Sequence, residues 1–265
     1  MKIFTAVFLF LLLIISFPMQ AGDEFCGVKN SAFQENEALT YKVYYTLAGV
    51  FISGGEAVFT TTLENLNGRK VYHISGSGKT TSFMDNIFKV RDKYETFIDT
   101  ATLQPLKFIR NVEEGAIKIY ENVTFNKATD AAITSKGIFK VPACVQDVMS
   151  SIYYARNLDF SKLKPEDKVP FSMFLDNEVY PLYIRYLGKE VIKTKYGKFR
   201  AIKIKPLLIQ GTIFTGGEKM TVWVSDDANH IPLRVESPIS VGSIKVDMMD
   251  FRNRRSPMSS LLDIR

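Results

Sequence analysis

Histidine, cysteine and tryptophan are nearly missing from this chain of 265 residues, which holds 2 His, 2 Cys and 1 Trp. Two cysteines, Cys26 and Cys144, are too few for a disulfide framework or a cysteine zinc site. The two histidines, His73 and His230, leave little for general acid–base work, and no cluster of His, Cys and carboxylates has metal-ligand spacing. No Gly-x-Ser-x-Gly elbow occurs, so a serine triad lacks its usual frame. Cys144 beside a histidine is the residual nucleophile. "SDDANH" offers acids for calcium but reads better as a turn. Fixed-period repeats, low-complexity linkers and nucleic-acid motifs are missing too. The expectation is a non-enzymatic chain with no cofactor, no metal and no nucleic-acid partner.

Long apolar runs are missing after the N-terminus. There, Lys2 precedes an apolar stretch from Ile3 to Phe17, followed by "SFPMQAGDE". That is a three-part secretory signal, with cleavage expected near Ala21. At about 15 residues the run falls short of the roughly 20 a bilayer-spanning helix needs. An uncleaved anchor is the alternative, because Met19 fits the cleavage pattern poorly. Cys26 follows "DEF", not the small residues of a lipid-attachment site. Residues 1–21 are read as signal peptide, 22–251 as one β-rich domain and 252–265 as a flexible basic tail. The expected location is the periplasm, free or peripherally bound to a membrane. There Cys26 and Cys144 could form a disulfide or stay as two free thiols.

What is present is mostly alternation. In "LTYKVYYTL" Leu39, Tyr41, Val43, Tyr45 and Leu47 recur with a period of two, the mark of a half-buried strand. Asn67-Gly68 is a strong hairpin signal. About a dozen antiparallel strands are expected, with "SFMDNIF" as one helical turn or a loop. The exception is "VPACVQDVMSSIYYARNLDF", an amphipathic helix expected over about 142–157. Pro142 sits in its first turn, and Val145, Val148, Met149, Ile152, Tyr153 and Arg156 lie on one face. Gln146 and Asp147 read as polar capping residues near its N-terminus, where the dipole favours a carboxylate. The fold class is therefore mainly β (α+β): a strongly curved antiparallel sheet, half-barrel or lipocalin-like, with one main helix covering its concave face.

The segments "LTYKVYY", "GGEAVF", "FKVRDKYETFID…TLQPLKFIRNVEEG", "CVQDVMSSIYYARNLDF" and "VWVSDDANHIPLRVE" together resemble the bacterial family catalogued as domain of unknown function 3108. The resemblance runs over about residues 34–251. It implies an envelope protein with a β-rich fold and carries no catalytic residues across.

Strand parity supplies one candidate site. Asp92 shares a face with Val90, Tyr94 and Ile98; Arg110 with Leu106, Phe108 and Val112; Glu121 with Ile117, Ile119, Val123 and Phe125. A turn centred near Ala101 places Asp92 opposite Arg110, and one at Glu114-Gly115 places Glu121 diagonal to it. Buried among apolar neighbours, the three should pair. They form either a structural ion network or a polar anchor for a ligand head group. A second feature is the basic hairpin "KEVIKTKYGKFRAIKIK", in which Lys193, Lys195, Lys198 and Arg200 make either a solvated, aggregation-blocking face or a patch for an anionic membrane surface or an envelope protein. The leading expectation is that the protein binds an apolar or amphipathic, lipid-like ligand between concave sheet and helix. The alternative is a structural or interaction module with a filled core, and the third a hydrolase of an envelope glycan or lipid ester.

Overall fold

Asn67 and Gly68 turn the chain with φ of 51° and 83°, the left-handed pair of a type I′ hairpin, and set Leu66 opposite Arg69. The computed structural model describes residues 26–47, 50–210, 216–239 and 242–264. The signal segment expected over residues 1–21 lies outside them. Among the described residues, eight strands precede the main helix: β1 (Ala38–Leu47), β2 (Val50–Leu66), β3 (Arg69–Thr80), β4 (Val90–Asp99), β5 (Pro105–Glu114), β6 (Ile117–Asn126), β7 (Ala131–Thr134) and β8 (Gly137–Lys140). Seven follow it: β9 (Lys168–Leu175), β10 (Glu178–Lys193), β11 (Gly197–Pro206), β12 (Thr221–Ser225), β13 (Pro232–Pro238), β14 (Ser243–Arg252) and β15 (Leu261–Ile264).

All the strands join one antiparallel sheet of order β8-β7-β6-β5-β4-β3-β2-β1-β14-β13-β12-β11-β10-β9, with β15 on β11. Two meanders therefore run outward from the central β1–β14 pair. The sheet is barrel-like but not closed, because β8 and β9 are its two ends. These ends approach each other: the rings of Phe139 and Phe174 lie 5.7 Å apart, and Thr134 donates to Asn177 at 2.8 Å.

The chain crosses from one sheet edge to the other through residues 141–167, and this crossing carries the helix. The helix is shorter than expected. It spans α2 (Val148–Ala155), with Asp147 as N-cap and Arg156 as C-cap, rather than about 142–157. The cause is local. Gln146 donates its N–H to Ser172 and accepts from Phe174 N–H, both at 2.9 Å, so it pairs with edge strand β9 and cannot begin a helix. Asp147 then accepts from the backbone of Met149 and Ser150 while Ser150 Oγ accepts from Asp147 N–H, a reciprocal cap. The buried face is Met149, Ser150, Tyr153 and Tyr154; Ile152, expected inward, is exposed. "SFMDNIF" does form a helical turn, α1 (Ser82–Asp85).

The C-terminal tail is not the loose extension expected over 252–265. Met258 and Ser260 are buried, Asn229 Nδ2 donates to Ser256 O at 3.0 Å, and β15 pairs with β11.

Two apolar cores result. The larger joins Ile74, Ile98, Phe108, Phe125, Phe174 and Ile202 with Met149, Tyr153 and Tyr154 of α2. The smaller gathers Leu39, Tyr41, Phe199, Trp223, Leu233 and Met248. Gly76 on β3 lets α2 come close, since a Cβ there would stand 2.9 Å from Met149 Cε and 3.0 Å from a Phe59 ring carbon.

Candidate functional site

Arg110 lies in β5 between Tyr94 of β4 and Glu121 of β6. The expected opposition of Asp92 and Arg110 does not occur: Asp92 faces Val112, and Tyr94 faces Arg110. Asp99 N–H donates to Gln104 O and Leu103 N–H to Asp99 O. The turn thus centres about one residue later than Ala101, which shifts the pairing by two. A shift of two leaves every side chain on its original face. Glu121 is directly opposite Arg110 rather than diagonal, for the same reason at the Gly115-Ala116 turn.

Arg110 Nε stands 2.8 Å from Glu121 Oε2, with side-chain exposures of 7% and 9%. Arg110 Nη2 also donates to Asp176. Asp176 is presented by the β9–β10 turn, where Asp176 and Asn177 both have positive φ, so this pair bridges the seam between the sheet ends. Burial pushes the Glu121 carboxyl up while the Arg110 charge opposes the shift.

Asp92 joins a different partner. Its Oδ1 accepts from Glu113 N–H at 3.1 Å, and it shares a hydrogen bond with the buried carboxyl of Glu114. Burial, then the charge on Glu114, pushes Asp92 up to about 7. Two closely placed carboxyls disfavour ionising together. Tyr94 is pushed up to about 12, first by burial and then by the charge on Asp92. The expected triad is thus two units on one face: an Arg110–Glu121–Asp176 ion cluster and an Asp92–Glu114 carboxyl pair.

The most buried ion pair lies elsewhere. Arg156, at the C-terminus of α2, meets both oxygens of Glu37 at 2.6 and 2.8 Å, and the side chains are 2% and 0% exposed. The guanidinium also donates to Asn229 O and Ala32 O and lies over the rings of Phe33 and Tyr153. His230 Nδ1 donates to Arg156 O at 2.6 Å, and burial lowers its basicity. Sequence reading placed Arg156 on the apolar face of the helix but did not find its partner. An arginine on such a face is the available signal, since buried charge demands pairing.

Cys26 and Cys144 are joined in a disulfide, with Cα atoms 5.5 Å apart. The N-terminal arm is therefore held to the crossing segment by this bond, by Glu37 and by the backbone of Ser31 and Ala32, which donate to Asn157 Oδ1.

A family model described as "Protein of unknown function (DUF3108)" matches residues 40–249. The chain belongs to this family. No curated protein matches it in sequence. Among solved structures, a β-barrel-like protein of domain of unknown function DUF1849 from Brucella abortus matches with TM-score 0.56 at 10% identity, covering 86% of this chain and 99% of that one. That likeness is one of fold. Weaker matches, each with TM-score 0.38, are a protein described as exported, with a YmcC-like fold, from Bacteroides fragilis (10% identity, 85% and 100% covered) and one described as a lipoprotein from Parabacteroides distasonis (13% identity, 84% and 100% covered).

In this DUF3108 chain the space between sheet and α2 is occupied by side chains. Met149, Tyr153 and Tyr154 are buried against Phe33, Phe108 and Phe174. Two clefts, of about 230 and 520 Å³, are lined by strands and turns without any residue of α2. Among the described residues no group of three or more His, Cys or carboxylates is placed to hold a metal ion, and no helix is long and apolar enough to cross a membrane. His73 lies between Glu64 and Glu95 at 2.7 and 3.1 Å, stacked on Phe97.

The basic hairpin is β10–β11. Lys193 and Lys198 oppose each other across it, and Lys195 lies over the Tyr44 ring. Other cations there are engaged: Lys189 with Asp226, Lys203 with Glu190, and Arg200 with Ser259 O.

Proposed function

We propose that this protein is an exported, non-catalytic module of the cell envelope that works through its outer surface and uses its interior for stability. The carrying observation is the filled concavity: α2 lays Met149, Tyr153 and Tyr154 on the sheet where a lipid-like ligand would have to lie. Each fully buried side chain of this size contributes on the order of 2–3 kcal/mol, so a ligand could enter only by displacing the helix. The burial of these side chains supports the filled module over the expectation of a lipid between sheet and helix.

Export and envelope location rest on the Lys2-to-Phe17 signal pattern. The non-catalytic reading is supported by the placement of the histidines. His73 is held between two carboxylates and stacked on Phe97, and His230 is spent on a helix C-terminus. Arg110, Glu121 and Asp176 then serve the fold by tying β5 and β6 to the β9–β10 turn, and Asp92 and Glu114 serve it within β4–β5. Lys193 and Lys198 remain as the outward cations of the basic hairpin. Titration with a fluorescent fatty acid tests the reading. The expected result is no saturable site; one-to-one binding lost on disturbing α2 would overturn it.

A further inference from the structure

In an antiparallel meander the β1–β2, β3–β4 and β5–β6 connections all fall at one end of the sheet. Here they are stitched together: Thr81 N–H donates to Gly54 O at 3.0 Å and Gly115 N–H to Lys89 O at 2.8 Å. Phe88 lies against Gly115, where a Cβ would stand 2.9 Å from its ring. This end carries six large apolar side chains facing outward. Val50, Phe51, Phe83 and Ile87 are 60–66% exposed, and Phe88 and Ile117 over 40%. Phe83 lies in α1 and Ile87 just beyond its C-cap Asn86.

Exposed patches of this kind mark interaction sites, and the charges around this one identify the partner. Lys89 and Lys118, with side chains 49% and 75% exposed, share a single acid, Glu113, at 3.9 and 3.6 Å. Arg91 is already neutralised by Asp85, and Lys79 by Glu56. Among these pairs two lysines thus share one acid, which leaves a surplus of one positive charge beside the apolar tips. The tips also come from the starts of β2 and β6 and from the segment between β3 and β4, rather than from a groove or a continuous face. Aromatic and aliphatic tips with lysine stems beneath them suit the boundary between acyl chains and anionic head groups. We propose that this end of the sheet is a peripheral membrane-docking rim that inserts Phe51, Phe83, Ile87 and Phe88 into an anionic bilayer surface.

The inference rests on the outer-surface reading, yet the two fail separately. A bound interior ligand would overturn the filled core and leave the rim untouched, while loss of vesicle binding would overturn the rim alone. The test is flotation of the exported, purified protein with vesicles of phosphatidylethanolamine and phosphatidylglycerol, against vesicles of phosphatidylcholine. We expect flotation with the anionic vesicles, weakened by salt, and at least a tenfold loss in the double variant Phe83→Ser, Ile87→Ser with unchanged melting. Lys89→Gln with Lys118→Gln should reduce binding to anionic vesicles only. Phe83→Trp supplies a reading independent of affinity, because the emission of the introduced indole should shift to the blue on anionic vesicles. Wild-type protein that stays in solution, or a Phe83→Trp emission that vesicles do not move, overturns the proposal. So does a homodimer that the serine variant abolishes without any vesicle binding, since the rim would then be a protein contact.

Discussion

Replacing Arg156 by alanine removes more than one interaction. Glu37 loses both of its guanidinium bonds while its side chain stays fully buried. Stranding a buried carboxylate in this way costs about 3–5 kcal/mol. The carbonyls of Asn229 and Ala32 also lose a donor, worth about 1 kcal/mol each where water cannot replace it. The expected loss is therefore roughly 5–7 kcal/mol, a large share of the 5–15 kcal/mol that holds a typical domain folded. For a chain of this size that corresponds to a drop of roughly 10–20 °C in Tm. Glu37→Gln should recover part of the loss in the Arg156→Ala background, because an amide can be buried without charge. Urea unfolding of the two single variants and the double variant measures this coupling, expected to exceed about 1 kcal/mol. A loss below about 1 kcal/mol in Arg156→Ala, or additive single variants, would refute the claim that this pair locks α2 to the N-terminal arm.

Arg110→Ala should cost about 3 kcal/mol by stranding Glu121 at the seam; melting curves indistinguishable from wild type would contradict that pairing. Asp92, whose folded-state value is raised from 3.8 to about 7, favours the folded state fully below its unfolded value, and this contribution is lost as pH rises through about 7. Tm should therefore fall between pH 4 and pH 8, and Asp92→Asn should flatten that slope by about 1–2 kcal/mol after allowance for its partial exposure; an unchanged slope would contradict the raised Asp92 carboxyl. Reducing Cys26–Cys144, which closes a separation of 118 residues, should cost about 4–5 kcal/mol in the chain-entropy model, and non-reducing alkylation should find no free thiol in the native protein.

Period-two alternation made the strands readable because one face of each is buried, so "LTYKVYYTL" and the Asn67-Gly68 hairpin lie where local chemistry puts them. Face was also readable at the candidate site, since Arg110 and Glu121 keep apolar company on their own strands. Register was not, because it depends on where each turn centres. The turn before Pro105 needed Leu103 in a left-handed conformation, with φ of 56°, which side-chain pattern does not announce. The helix was overextended at its start for a different reason. Gln146 is claimed by β9, a strand more than twenty residues later, and no local propensity encodes that competition. Asp176 escaped notice because its role depends on the two sheet ends meeting. Glu37 likewise becomes a partner of Arg156 only once the arm is wrapped under α2.

The most direct test of the filled interior is native mass spectrometry of the protein purified from the envelope under conditions that keep lipids bound. The account predicts a single mass, that of the processed polypeptide with one disulfide. A second, stoichiometric species heavier by the mass of one lipid, retained in the Phe83→Ser, Ile87→Ser variant, would contradict it.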